Sequence, residues 1–322
     1  MMEVKMVSLP GGEISLYGLL MLIGCLAAAG WLILLAGRKG IRRSHALLLC
    51  LLAAALGLGL GRIVYCAVRF GRMFYDEMGD YAGLAPFFDF GVGGVNVGGV
   101  MLGCILAAWL AAKIVRGTTG DFLDCLVFPG LALFILERLC EPLAGRGYGV
   151  YLYDSPLSFF PFALETYMDE YALSVFFIEA VLAFILVLAL LSFKKKCTKS
   201  GQFFLCALTL FCASQIMPES LRHDDVLFIF IFARVTQIIY AVMLAGALIA
   251  ALIPAVKKGL PVKQAVLEFF LLLVGVGVCI GAEFALDKTN LSHTLIYIVM
   301  IAALAGMAAL ILRRIFREET AL

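Results

Sequence analysis

Charge is scarce in this sequence: Asp, Glu, Lys and Arg make up 15% of 322 residues, and only three residues are histidine. No polar stretch is long enough to form a water-soluble domain; the longest runs roughly from Glu141 to Asp169. The net charge of +2 gives no basic surface, so nucleic acid is not an expected partner. Ten cysteines are present, but they fall singly inside apolar runs, among them Cys25, Cys50, Cys104 and Cys279. No pair has metal-ligand spacing, so they read as small core hydrophobes, and neither metal nor cofactor is expected. The start, MMEVKMVSLPGGE, lacks a small-residue cleavage site, so the first apolar run is expected to stay as a helix.

What the chain has instead is hydrophobicity, at 63% of residues and a mean hydropathy of +1.04. A bilayer core of about 30 Å takes about 20 apolar residues of helix. Runs of that length lie near 16–36, 45–67, 95–115, 121–140, 172–193, 202–218, 227–253, 264–286 and 293–313. They are continuous rather than alternating, and lipid demands internally satisfied backbone, so helices are expected. The fold class is therefore an all-α polytopic membrane protein with about nine transmembrane helices.

Basic residues alternate by connection. Arg38, Lys39, Arg42, Arg43, Lys113, Arg116, Lys194, Lys195, Lys196, Lys199, Lys257, Lys258, Lys263, Arg313, Arg314 and Arg317 share one side, 16 of the 25 Lys and Arg. Lys5, Arg69, Arg72, Arg146 and Lys288 lie opposite, among acidic residues such as Asp76, Glu77, Asp154 and Asp169. The positive-inside rule puts the amino terminus outside and the carboxyl terminus inside, which requires an odd number of spans.

On the outer side, five segments bring arginine, tyrosine or glycine to one depth. They carry Tyr17, Arg62 in GLGLGRIVY, the double-glycine stretch GGVNVGGVMLG (93–103), ERLCEPLAGRGYG (137–149), and Arg222 in PESLRHDD (218–225). Each has an ordinary reading: snorkelling arginine, belt tyrosine, helix-packing glycine. Those readings do not account for one-sided clustering. Arginine forks and glycine backbone together suit a phosphate. Deeper in the apolar runs, Glu179 and Arg234 are expected to face the bundle interior, with mutual pairing as one arrangement. Asp124 reads as a helix-start or structural group.

These residues resemble the prolipoprotein diacylglyceryl transferases of bacterial inner membranes. ISLYGLLMLIG resembles the family's Trp-Tyr-Gly helix start, and GRIVY (61–65) its Gly-Arg-x-x-Tyr. The glycine pairs sit where the family has Gly-Gly, a spacer and His-Gly-Gly. ERLCEPLAGRGYG resembles Gly-Arg-x-Gly-Asn-Phe-x-Asn-Gly-Glu-x-x-Gly. ESLRHDD and TQIIYAVMLAG resemble Glu-Phe-Phe-Arg-x-x-Asp followed by Gly-Gln-Ile-Leu, and IEA (178–180) a family Tyr-Glu. The resemblance covers roughly residues 10–253, which implies a seven-helix transferase-like membrane domain over 1–255 and a two-helix extension over 256–322.

Carried over by position, the resemblance implies that Arg138 binds the phosphatidylglycerol headgroup and that Arg222 is the second essential arginine. Tyr17, Arg62, Asn96, Gly98, Gly99, Gly145, Gly149 and Glu179 become substrate-binding candidates, and Gln237 a packing residue. The family histidine falls on Val97, or with a one-residue shift on Asn96. Glu141 and Ala144 replace the two asparagines of the signature, and Arg146 its glutamate. Glu141 and His223 are candidate bases for a thiol; His45 and His293 lie elsewhere. The implied reaction moves a diacylglyceryl group from phosphatidylglycerol to the cysteine thiol of a prolipoprotein, presented with its signal peptide. It would run on the outward face of the inner membrane, among membrane lipids. Two other readings stay open: a catalytically altered paralogue that binds an anionic phospholipid, and a secondary transporter. Against the last, the sequence shows no internal repeat.

Overall fold

The computed structural model describes residues 6–9, 12–75, 80–81, 83–89, 94–153, 156–166, 170–223, 227, 234–289 and 291–317. The expectations placed on Gly93, Asp76, Glu77, Asp154, Asp169, Asp224 and Asp225 lie outside them.

The architecture is an all-α polytopic membrane bundle. Its long helices are α1 (Leu16–Arg38), α2 (Arg43–Val68), α5 (Val97–Val115), α6 (Thr119–Cys140), α7 (Val175–Phe193), α8 (Gln202–Leu221), α9 (Val235–Lys257), α10 (Val262–Lys288) and α11 (His293–Arg317). Two short helices, α3 (Phe70–Met73) and α4 (Ala85–Phe88), lie between α2 and α5. Among the described residues, eight of the long helices are long and apolar enough to cross a membrane; α6, with Asp121, Asp124, Glu137 and Arg138, is the exception. Two small antiparallel hairpins were not expected from composition. Strand β1 (Met6–Leu9) pairs with β2 (Gly12–Ser15) ahead of α1, and β3 (Ala163–Glu165) with β4 (Tyr171–Leu173) ahead of α7.

Helix ends follow local chemistry. Ser15 Oγ accepts from Gly18 N at 3.1 Å to start α1, and Asn96 Oδ1 accepts from Gly99 N at 3.0 Å to start α5. Asp124, as expected, is structural. Its carboxylate accepts from Phe204 N at 2.9 Å and Gly201 N at 3.2 Å at the start of α8, and from Lys39 Nζ at 2.8 Å. Within the run expected at 227–253, α9 begins at Val235, where Arg234 is extended and Val235 N donates back to Leu227 O.

The glycine stretch explains the closest helix pair. Gly99 and Gly103 of α5 face Gly57 and Gly61 of α2, the same four-residue spacing on both helices. A Cβ at Gly99 would stand 2.8 Å from Gly61 Cα, and one at Gly103 would overlap Leu56 O and stand 2.6 Å from Gly57 Cα. The glycines therefore let two backbones touch, the small-residue route to helix association in lipid. Gly103→Val is expected to destabilise the bundle by about 3 kcal/mol or more, since the clash is with backbone that cannot rotate away. Unfolding in a graded SDS series would measure it, and an unchanged midpoint would refute the packing account.

A small-residue core of Ala46, Ala107, Ala108, Ala111 and Ala112 continues this seam toward Leu32 and Leu49. The larger core lies between α6 and α11, built from Phe134, Leu190, Phe211, Tyr240, Leu244 and Met300. Leu26, Leu34, Leu51 and Phe270 are among many large apolar side chains left exposed on the outside, where lipid would meet them.

Candidate active site

The end of the bundle formed by the start of α1, the end of α6, the start of α7 and the end of α8 holds a buried charge cluster. Arg138 is on the last turn of α6, and Glu141 opens the 3-10 turn Glu141–Ala144 that follows. Their i,i+3 spacing brings Arg138 Nη1 to 2.6 Å from Glu141 Oε1. Arg222, at the end of α8, donates from Nη2 to Glu141 Oε1 at 2.7 Å and from Nη1 to Glu141 Oε2 at 3.1 Å. Glu179, one turn into α7, meets both arginines: Arg222 Nη1 at 2.9 Å and Arg138 Nε at 3.2 Å. Arg138, Glu141, Glu179 and Arg222 are all under 9% exposed. Four residues expected from the sequence thus make one unit.

The mutual pairing of Glu179 and Arg234 does not form, which corrects that expectation. Glu179 is drawn to Arg138 and Arg222, while Arg234 donates to the carbonyls of Glu219 and Ser220 (the latter at 2.9 Å). A guanidinium at the end of α8 meets carbonyls that have no helical partner, and it favours the negative end of the helix.

Glu137 is a member the sequence reading missed. It sits beside Arg138 at 3.5 Å and accepts from Tyr17 OH, also at 3.5 Å, so it ties α1 to the cluster. The signal was present as two glutamates flanking one arginine at a helix end. Gly147 was also missed. At φ +88 it allows a backbone few other residues adopt, and a Cβ there would lie 2.9 Å from Glu141 Oε2. Gly145 (φ +69) ends the 3-10 turn, and Gly149 forms a β-bridge with Arg222 while its N–H donates to Leu173 O at 2.8 Å. The glycines of 145–149 therefore fold the signature around Glu141 and brace the end of α8 that carries Arg222.

Arg62, Asn96, Gly98 and Gly99 are placed apart from this unit. Arg62 is 1% exposed, and its guanidinium donates to the carbonyls of Pro86, Phe87, Asp89 and Gly94 at 2.6–3.0 Å. That holds the loop before α5 rather than an anion. Asn96 caps α5 and donates to Thr236 Oγ1 at 3.0 Å. Gly98 faces Ile239, and Gly99 faces α2. Val97, where the resemblance has histidine, opens α5 and packs against the large core. Arg146 connects the two regions: its Nη1 would be 2.9 Å from a Cβ on Gly94. His223 is exposed at the rim.

The cluster sets three carboxylates, Glu137, Glu141 and Glu179, against two guanidinium groups. Buried ions persist only when compensated, so each member depends on the others. Arg138 Nε and Glu137 Oε2 are held by ion pairing alone, with no hydrogen bond of good angle, and Ser174 Oγ at the start of α7 is buried without a hydrogen bond. Two adjacent guanidinium groups, held by charge pairing with part of their hydrogen-bonding capacity unused, suit an oxygen-rich anion. Among the described residues no group of His, Cys, Asp and Glu is arranged to hold a metal.

Two comparisons with known proteins bear on this site. A family model described as prolipoprotein diacylglyceryl transferase matches residues 5–254. A protein of Clostridioides difficile (strain 630), named phosphatidylglycerol–prolipoprotein diacylglyceryl transferase, is 25% identical over 240 residues, covering 74% of this chain and 90% of that protein.

Proposed function

Because the chain belongs to the prolipoprotein diacylglyceryl transferase family, a family of transferases, we propose that it moves the diacylglyceryl group of phosphatidylglycerol onto the cysteine thiol of a bacterial prolipoprotein. The observation that carries this reading is the convergence of Arg138 and Arg222, from separate helix ends, on the same two carboxylates.

In the reaction, the cysteine sulfur attacks a glycerol carbon of the lipid, a new C–S bond forms, and the C–O bond to phosphate breaks. Glycerol phosphate leaves with one more negative charge than the diester carried. Two preorganised guanidinium groups favour that growing charge in a site closed to water. As the headgroup phosphate enters, it takes over the forks of Arg138 and Arg222 and releases Glu141. The freed carboxylate, for which the absent side chain of Gly147 leaves room, then accepts the thiol proton. Tyr17 and Glu137 form the neighbouring wall, Glu179 keeps both arginines aimed, and Gly145 and Gly149 shape the backbone around them. Arg62 and Asn96 act at one remove, by fixing the loop and helix start that close the site.

The membrane placement belongs to the same proposal. The lysine-rich end faces the cytoplasm, the charge cluster faces outward, and α6 crosses with the other eight helices. The seven helices to residue 255 form the transferase domain, and 256–322 its extension. Val97 in the histidine's place favours one rival, a paralogue that holds phosphatidylglycerol without transferring from it.

Complementation separates the two. Bacteria depleted of their own transferase and given this chain are expected to accumulate thioether-modified prolipoprotein, detected by mass spectrometry. Retained phosphatidylglycerol binding with no modified product would replace the transferase reading with the binding one.

A further inference from the structure

Helices α10 and α11 lie beyond the residues that match the family model, yet they are built into the bundle. Leu272, Met300 and Ile311 are fully buried in the large core. At the end away from the charge cluster, Arg314 Nε donates to Glu268 Oε2 at 2.8 Å and ties the two helices together. At the cluster end, α10 presents Glu283. Its Oε2 accepts from Ser220 Oγ at 3.0 Å, and its Oε1 accepts from Gln237 Nε2 at 2.6 Å.

A carboxylate in an apolar helix is costly unless it meets a partner, so the placement of these contacts is informative. Ser220 precedes Arg222 by two residues. The turn that carries both follows Pro218, which lacks an N–H and weakens the helix's own bonding there. That turn is held from outside instead. Arg234 takes the carbonyls of Glu219 and Ser220, Gln237 takes Ile216 O at 3.0 Å, and Glu283 takes the Ser220 hydroxyl. Glu283 also fixes Gln237, so two of these supports depend on the extension.

We infer that Glu283 is a positioning residue: the two-helix extension braces the last turn of α8 so that Arg222 leaves it aimed at Glu141 and Glu179. What Arg222 then does rests on the proposed transferase reading; the bracing does not. The extension is therefore part of the site's construction rather than an appended membrane anchor.

The test uses the full chain in phosphatidylglycerol nanodiscs, with turnover on a cysteine lipopeptide and backbone hydrogen exchange as separate readouts. Glu283→Ala is expected to raise exchange in the 219–223 segment by roughly tenfold, leaving 97–115 unchanged. It should lower kcat by roughly 10–100-fold through a displaced Arg222, with a smaller change in KM. Glu283→Gln keeps an acceptor for Ser220 and should return kcat to within roughly threefold of wild type, as loss of one neutral hydrogen bond implies. Glu268→Gln breaks the far-end tie and is expected to lower thermal stability while leaving exchange at 219–223 and kcat as they were. Unchanged exchange in Glu283→Ala, or the same local effect from Glu268→Gln, would overturn the inference. A wild-type chain without turnover would count against the transferase reading alone, because exchange still decides the bracing.

Discussion

Alanine at Arg138 is expected to lower diacylglyceryl transfer by about 10²–10³-fold, the usual effect of removing one preorganised donor from a developing oxyanion. The geometry makes Arg138 hard to replace. It reaches Glu141 through Nη1 and Glu179 through Nε, and its ring-side contact with Phe134, 4.7 Å from guanidinium carbon to ring centroid, sets the plane of the fork. Arg138→Lys keeps the charge but not the fork, and should recover only a small part of the rate. Arg222→Ala is expected to behave like Arg138→Ala, since both share Glu141. Rates on a cysteine lipopeptide in phosphatidylglycerol nanodiscs would measure all three variants. Full activity in both alanine variants would end the phosphate-clamp account.

The second large effect is on stability. Glu179 is 1% exposed and sits between two guanidinium groups. Removing one partner from a buried ion pair costs about 3–5 kcal/mol, because the opposite charge is left uncompensated. Glu179→Ala is therefore expected to lower stability by that amount. Glu179 and Arg222 should also be coupled: the double variant Glu179→Ala/Arg222→Ala is expected to cost less than the sum of the singles, by about 0.5–3 kcal/mol. SDS-unfolding midpoints for the four species would give the cycle. Strict additivity would show that the pair contributes nothing as a pair.

Much of this molecule can be read without coordinates. All nine apolar runs contain a helix, and Asp124 is the structural group its position near a helix start suggested. Arg138, Glu141, Glu179 and Arg222 were each singled out, and they meet. What was misread concerns direction rather than identity. Arg62 has a phosphate-binding side chain at a fitting place in the sequence, but its fork is taken up by four backbone carbonyls of α4 and the segment after it. Gly98 and Gly99 suit an anion as well as they suit a helix, and contact with Ile239 and α2 decides for the helix. Glu283, near the end of an apolar run, gave no sign of its target.

The division has a physical cause. Hydrophobic length and the periodic placement of lysine and arginine are properties of the chain itself, since the bilayer reads each segment nearly independently. Membrane class, helix content and the candidate residues were therefore determined by the sequence. Pairing is different, because a guanidinium is satisfied by any acceptor that packing brings within reach. Whether Arg234 meets Glu179 or the carbonyls at the end of α8, and whether Glu283 faces lipid or Ser220, depends on how α8, α9 and α10 are rotated against one another. Only the tertiary structure decided those contacts.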